Sequence, residues 1–261
     1  MAFASLRLHT VQVVVSTDAK TAADAMRLAH DGAVEGGFLS PKPSGMRFSP
    51  TFLNPGTEFV VAYADEQPIA SLVLTEDGPF GLPSDRSFVE EIDQFRRDGD
   101  SLFEAGAWVV TNEWRRHTLA LIGLIFGAAM RLNIATSPAR RMIAVIEPRR
   151  ADLFGAIFGY ELATEPRPYL LLPGTLMVTR RASEWTDHFL EPGALAARRI
   201  VADRLFDAEP DWLRLSRPGH HWTETILPEL LHESGIHERV SAQLRLLSGV
   251  GLPDRMVPAE I

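Results

Sequence analysis

From residue 9 to Arg181 the apolar residues keep changing period, from the alternation of strands to the three- and four-residue spacing of helices. The stretch "HTVQVVVST" (9–17) is rich in Val and Thr and reads as a strand. A cap at Thr17 or Asp18 then opens a helix on which Ala22, Ala25, Met26, Ala29 and Ala33 recur at helical spacing before Gly36-Gly37. After a Pro- and Gly-rich loop, "FVVAYA" (59–64) and "IASLVLTED" (69–77) form a hairpin across "DEQP". Phe88, Ile92 and Phe95 mark a short amphipathic helix ending at Gly99. A strand at 101–113 is followed by a helix that takes Asn112 as its cap. Next come a strand at 141–147, a helix at 148–159, a strand at 160–165 and two short strands around Pro173-Gly174. The order β-α-β-β-α-β-α-β-α-β-β predicts a mixed α/β domain containing a hairpin, not a strict βαβ repeat. Beyond Ser183 no strand is expected and three or four helices follow, so the chain divides into a domain at 1–182 and a helical C-terminal extension at 183–261.

Composition narrows the function. A net charge of −8 argues against a nucleic-acid binder that works through a bulk positive field. With only Lys20 and Lys42 present, nearly all the positive charge is Arg, whose fork suits phosphate and carboxylate. Zero cysteines exclude disulfides, thiolate catalysis and Cys-ligated metal. No secretory leader is read at the N-terminus. The longest apolar run, 118–130, is too short to span a bilayer, so a cytoplasmic protein is expected.

The element order is that of the GNAT acyltransferase fold. The resemblance implies a mixed central sheet in which two neighbouring parallel strands splay apart, here 101–110 and 141–147. Such a gap frees backbone groups to hold a pantetheine arm and to polarise a thioester carbonyl. The turn after the first splayed strand carries Arg115-Arg116-His117-Thr118-Leu119-Ala120. It resembles the phosphate turn of that fold at Arg115 and Ala120, with Thr118 in place of a glycine. Two arginines at a helix N-terminus oppose its dipole, and an anion would relieve them. The alternative is a pair of solvated surface arginines.

The block at 78–110 is similar to the centre of the FeeM-type N-acyl amino acid synthases, relatives of the acyl-homoserine-lactone synthases. Asp77, Pro79, Gly81, Leu82, Pro83, Glu91, Asp93, Arg96, Gly99 and Glu104 carry the likeness, as do Pro148, Arg149, Gly159, Tyr160 and Glu161. It spans about residues 10 to 181. The family's His is Arg150 here and its Phe-Tyr pair is Leu153-Phe154. Near the N-terminus Arg27 and Gly37-Phe38 meet the family pattern only with a register shift.

The resemblance implies an enzyme that moves a fatty acyl group from acyl carrier protein or CoA, as a co-substrate and not a resident cofactor, to the amine of an amino acid or a similar small acceptor. It makes Glu104 the candidate base; the same carboxylate is otherwise the ion-pair partner of a structural arginine such as Arg96. Asp93 and Arg96 are spaced to pair with each other. The donor is assigned to Trp108, Val109, Val110, Arg115, Arg116, Thr118, Arg149, Arg150 and Phe154. Trp108, Trp114 and Phe126 line an acyl channel or belong to the core. Gly123 and Gly127 permit close packing of helix on sheet, or an acyl chain. Arg149 and Arg150 form a docking patch for an acidic carrier protein, or a screened surface. The alternatives are an autoinducer synthase using S-adenosylmethionine and a GNAT-shaped binding module without turnover.

No metal is expected. His220, His221, Glu224, Glu229, His232, Glu233 and His237 are dense, but none forms H-E-x-x-H. The C-terminal helices read as a cap over the acyl pocket or as an oligomer interface, which leaves room for a homodimer.

Overall fold

A computed structural model of the chain describes residues 10–137, 140–169, 172–191, 196–208, 210–216, 222–227 and 230. Strand β1 (Val11–Ser16) leads to Asp18, whose carboxylate accepts the Thr21 N–H at 2.8 Å and caps helix α1 (Ala19–Glu35). The hairpin strands are β2 (Glu58–Ala64) and β3 (Gln67–Glu76). Their turn is tighter than "DEQP": Asp65 and Glu66 alone make it, with φ of 48° and 64°. A two-residue hairpin needs that left-handed pair to match the strand twist.

Helix α2 (Asp85–Arg97) and strand β4 (Ser101–Val110) follow. Asn112 does not cap the next helix. Thr111 precedes a 3-10 helix, Asn112–His117, and only then does α3 (Thr118–Thr136) begin. Strand β5 (Arg140–Ile146) passes through a 3-10 turn, Pro148–Arg150, into α4 (Ala151–Phe158), which ends on Gly159 at φ 68°. The strand expected at 160–165 contracts to β6 (Glu161–Leu162). Strand β7 (Arg167–Tyr169) precedes β8 (Leu172–Arg181), which runs straight through Pro173-Gly174 instead of breaking there.

Helices α5 (Ala182–Leu190) and α6 (Ala196–Leu205) come next. Strand β9 (Leu213–Ser216) then overturns the expectation that no strand follows Ser183. It pairs in parallel with β1 through Val13–Leu213 to Ser16–Ser216. Its alternation is only four residues long, too short to stand out in the sequence. The sheet runs β6-β8-β5-β4-β3-β2-β1-β9, with β7 paired to β8.

Helices α1 and α2 cover one face of this sheet and α3 covers the other. Helix α3 is apolar all round because it is sandwiched between the sheet and helices α5 and α6. Together with its 3-10 lead-in, residues Asn112–Ala135 are in fact long and apolar enough to cross a membrane, contrary to the estimate from residues 118–130. The packing on both sides makes this the central core helix. Gly123 and Gly127 serve helix-on-helix packing, not the expected helix-on-sheet packing. A Cβ on Gly123 would stand 2.3 Å from Ile200 Cγ2, and one on Gly127 3.0 Å from Arg204 Cβ.

Candidate active site

Strands β4 and β5 pair in parallel only from Ser101–Arg140 to Glu104–Ile143. Beyond that point β4 runs on to Val110 and β5 to Ile146 without pairing to each other. The closed end is locked electrostatically. Asp100, nearly buried, accepts from Arg141 at 2.6 Å and from Arg181 at 3.0 Å, tying the ends of β4, β5 and β8 together. The outer edges stay zipped as well, β4 to β3 and β5 to β8. The opening is therefore a wedge within a continuous sheet.

A bulge sits in β4 just past the point of divergence. The β3–β4 register jumps between Ser71–Val109 and Val73–Gly106, and Ala107 takes φ 51°. A non-glycine residue in this region costs about 1–2 kcal/mol, and such strain concentrates at functional sites. The bulge also reverses the facing of side chains. Phe103 and Ala105 pack on the α3 side; past the bulge Trp108 and Val110 take that side, while Ala107 and Val109 pack toward α1.

The α3 side is aromatic. Trp108 and Phe126 lie 5.6 Å apart between ring centroids, Phe126 and Phe154 6.2 Å, and Phe126 stacks on Phe158 at 4.6 Å. Phe154 and Trp108 are half-buried, so they bridge core and opening. Val109 is separated from its expected companions, packing instead on the α1 backbone at Gly32.

Glu104 points to the other face. It is 3 % exposed, and among the described residues no cation pairs with it. One oxygen, Oε2, accepts the Ser84 N–H at 2.8 Å. The other, Oε1, lies 4.0 Å from where a Cβ on Gly106 would stand, so it faces the start of the bulge. The Tyr169 hydroxyl donates to the carboxyl, and the buried Ser84 hydroxyl lies against it in poor hydrogen-bond geometry. Burial is the main influence on the group, and it raises the carboxyl pKa to about 7. The alternative partner Arg96 is engaged elsewhere, with Asp77 at 2.7 and 2.8 Å and with Asp85 and Asp93 at 2.8 Å each. The expected Asp93–Arg96 pair is thus part of a larger cluster.

Most residues that carried the family likeness build the scaffold around Glu104. Asn54 donates to the carbonyls of Glu76 and Gly81 at 2.8 Å and accepts from the Phe80 N–H. Gly81 has φ 66°, and a Cβ there would lie 2.5 Å from the Asp85 carboxylate. Asp85 in turn accepts the Leu82 N–H. These contacts hold the turn that aims the Ser84 N–H. Glu91 pairs with Arg167, setting β7 and hence Tyr169 over the carboxyl.

The arginines and Thr118 occupy the open end, where both parallel strands point. Arg115 and Arg116 sit in the 3-10 helix ahead of α3, and Thr118 is the first residue of α3. The Thr118 hydroxyl donates to the Arg115 carbonyl at 2.6 Å. Arg115 also reaches Glu35 at 3.2 Å. Arg149 and Arg150 share Glu147, at 2.8 and 3.1 Å, and hold its carboxyl below the usual range. Leu119 and Leu153 are exposed among these arginines. Further along, Arg27 pairs with Asp24 at the surface and Phe38 is exposed.

Ser84, Tyr169 and the Gly106-Ala107 bulge are site features that the sequence did not announce. Tyr169 meets Glu104 only through the sheet. Ser84 stands at a helix start, where a serine ordinarily signals a cap. His220, His221, Glu229, His232, Glu233 and His237 lie outside the described residues. Among the described residues no cluster of three metal-ligating side chains is present.

A family model for the N-acyl amino acid synthase FeeM matches residues 24–183. Among solved structures, FeeM, an N-acyl amino acid synthase from uncultured soil microbes, superposes with a TM-score of 0.57 at 16% identity. That match covers 68% of this chain and 93% of FeeM. The structure of BjaI with MTA, a CoA-dependent acyl-homoserine lactone synthase, superposes at 0.52 and 13% identity, covering 82% and 97%. No curated protein sequence matches. The fold is that of a GNAT-type acyltransferase, an α/β domain around a mixed central sheet. The chain belongs to the FeeM family of N-acyl amino acid synthases and is an N-acyltransferase.

Proposed function

We propose that the enzyme transfers a fatty acyl group from a thioester, carried by acyl carrier protein or CoA, to the amine of an amino acid or related small acceptor. The observation that carries this reading is Glu104: a buried carboxyl, unpaired with any cation among the described residues, beside the bulge where two parallel strands part. The pantetheine arm enters the wedge between β4 and β5. Its phosphate or carrier lies at the open end with Arg115, Arg116 and Thr118. Arg149 and Arg150, with exposed Leu119 and Leu153, suit the acidic and partly apolar face of a carrier protein. The acyl chain runs along Trp108, Phe126 and Phe154.

The neutral amine attacks the thioester carbonyl carbon, and backbone N–H groups at the bulge receive the developing oxyanion. Glu104 takes the proton that nitrogen loses on forming the C–N bond. The C–S bond then breaks, and that proton returns to the departing thiolate, leaving an amide and a free thiol. A base with a pKa near 7 suits this step at neutral pH, because it is ionised enough to accept and still able to give the proton back.

The test is a thiol-release assay with acyl-CoA and acyl carrier protein as donors and a panel of amines that includes S-adenosylmethionine, with products read by mass spectrometry. Glu104→Gln lowers kcat by roughly 10²–10⁴-fold. The wild-type pH–rate profile bends near pH 7 as the carboxyl ionises, a bend that Glu104→Gln lacks, while deprotonation of the amine keeps both rising at higher pH. A variant as fast as the original removes Glu104 as the base. Transfer only to S-adenosylmethionine would move the chain to the autoinducer reaction.

A further inference from the structure

Glu104 and Tyr169 share one face of the sheet. Leu102, two residues earlier on β4, and Ile143, the β5 partner of Glu104, belong to a buried apolar cluster with Phe88, and Tyr169 packs against it. Its hydroxyl bonds the Glu104 carboxyl. Tyr169 owes that place to α2. Strand β7 pairs with β8 at Arg167–Thr175 and Tyr169–Leu172, with a register break between them. It is latched to the helix as well. The Ser87 hydroxyl donates to the Pro168 carbonyl at 2.9 Å, and Arg167 pairs with Glu91 and donates to the Ser87 carbonyl at 3.3 Å. The Tyr169 ring lies against Phe88, 6.3 Å between centroids. The Ser84 N–H, the other donor to Glu104, stands at the start of the same helix. One helix therefore sets both donors.

We infer that Tyr169 is a positioning residue, which, latched to α2 through β7, holds the Glu104 carboxylate with one oxygen turned to the bulge. This deepens the acyl-transfer reading and rests on it. The carboxyl torsion of a glutamate is broad, so the Ser84 N–H alone leaves the group free to turn. A second donor, brought from another element, fixes its plane. Proton transfer needs the accepting oxygen within hydrogen-bond reach of the amine, so a carboxylate turned away is slow whatever its basicity. A neutral hydroxyl does this at little cost to basicity. An arginine in its place would hold the carboxyl ionised well below neutral pH, as a poor base. The hydroxyl lowers the carboxyl pKa only part way, and burial stays the main influence. Burial, then the Glu104 charge, raises the pKa of Tyr169 itself, so it remains a donor across the neutral range. Tyr169 acts through Glu104, not on the amine.

The test reads the Glu104 carboxyl as well as the rate. In protein labelled with carboxyl-¹³C glutamate, the NMR signal that Glu104→Gln removes gives the titration midpoint without any turnover. Tyr169→Phe keeps the ring against Phe88 and loses the donor, and it is expected to move that midpoint up by about half a pH unit or more. With decanoyl-CoA and the amine that wild type acylates fastest, kcat falls about two- to fivefold at pH 7. The deficit closes toward about pH 9, where both carboxyls are ionised, and KM for the amine stays the same. Arg167→Ala unlatches β7 and shifts the midpoint in the same direction. Added to Tyr169→Phe it shifts the midpoint no further, since both changes act through one contact. Tyr63→Phe, whose hydroxyl serves Asp24 at 2.9 Å, changes neither reading. A midpoint that Tyr169→Phe leaves unmoved or lowers, or a rate deficit of equal size at every pH, overturns the assignment while leaving acyl transfer standing. Should Tyr169→Phe fail to fold, Arg167→Ala decides by the same midpoint. If no amine is acylated, the transfer reading itself fails. The midpoint then judges Tyr169 alone: an upward shift supports its hold on Glu104, and no shift rejects it.

Discussion

A carboxyl buried without a cation holds its proton more tightly in the folded chain than in the unfolded one, and among the described residues Glu104 is such a group. Its pKa rises from 4.5 to about 7 on folding. The sign of the linkage follows: the proton favours the folded state below pH 4.5, and this contribution is lost as pH rises through 7. At pH 8 the ionised carboxylate therefore costs about 3 kcal/mol relative to pH 4. Glu104→Gln cannot ionise, and its amide oxygen can still accept the Ser84 N–H. Denaturant unfolding is expected to find the variant more stable than wild type by up to about 3 kcal/mol at pH 8, with the gap closing toward pH 5. A constant gap across that range would mean that Glu104 is not strained by burial. If Glu104 is the base, as proposed, the site gives up stability at the pH where that base works. Glu104 itself was readable as a charge on a central strand. Its lack of a cation was not, because Arg96 had an equally plausible claim on it until the fold directed Arg96 to Asp77, Asp85 and Asp93.

At the scale of elements, the wedge depends on how β4 is held at each end. Asp100 clamps the closed end through Arg141 and Arg181, and the bulge at Ala107 twists the free end away. The turn between β3 and α2 supplies the Ser84 N–H and is tied to α2 by Arg96. Removing that guanidinium leaves three carboxylates to repel one another. Arg96→Ala is expected to cost about 2 kcal/mol, a value discounted for partial solvent exposure. It should also lower kcat, because the Ser84–Glu104 contact loosens. Unchanged kcat in a destabilised variant would separate this cluster from catalysis. The elements around the wedge were visible in the sequence as changes of period, with boundaries off by a few residues. The bulge was hidden, since Gly106-Ala107-Trp108 looks like ordinary strand and only the β3 register reveals the extra residue.

For the whole molecule, the described residues between Ser183 and Leu230 pack against those before them. Helix α6 packs into the Gly123–Gly127 groove of α3, and Arg131 donates to the carbonyls of Arg204, Leu205 and Asp207. Strand β9 extends the sheet beyond β1, and Trp222 is fully buried against Phe48 and Phe59 at 6.2 and 5.8 Å. Trp222→Ala is expected to cost about 3–5 kcal/mol, measured by denaturant unfolding, although the residue lies outside the family-matched segment. A cost below about 1 kcal/mol would show that this end of the chain is not part of the core. Hydrophobic period and turn residues act over a few neighbours, so the amino-acid order alone settled the succession of strands and helices, the α/β class and the strand carrying Glu104. Which charges find partners, where two strands stop pairing, and that a four-residue strand completes the sheet depend on contacts between distant segments. Glu104 and Tyr169, or Val13 and Leu213, become neighbours only when the sheet forms. The chemistry of the site was set by that assembly.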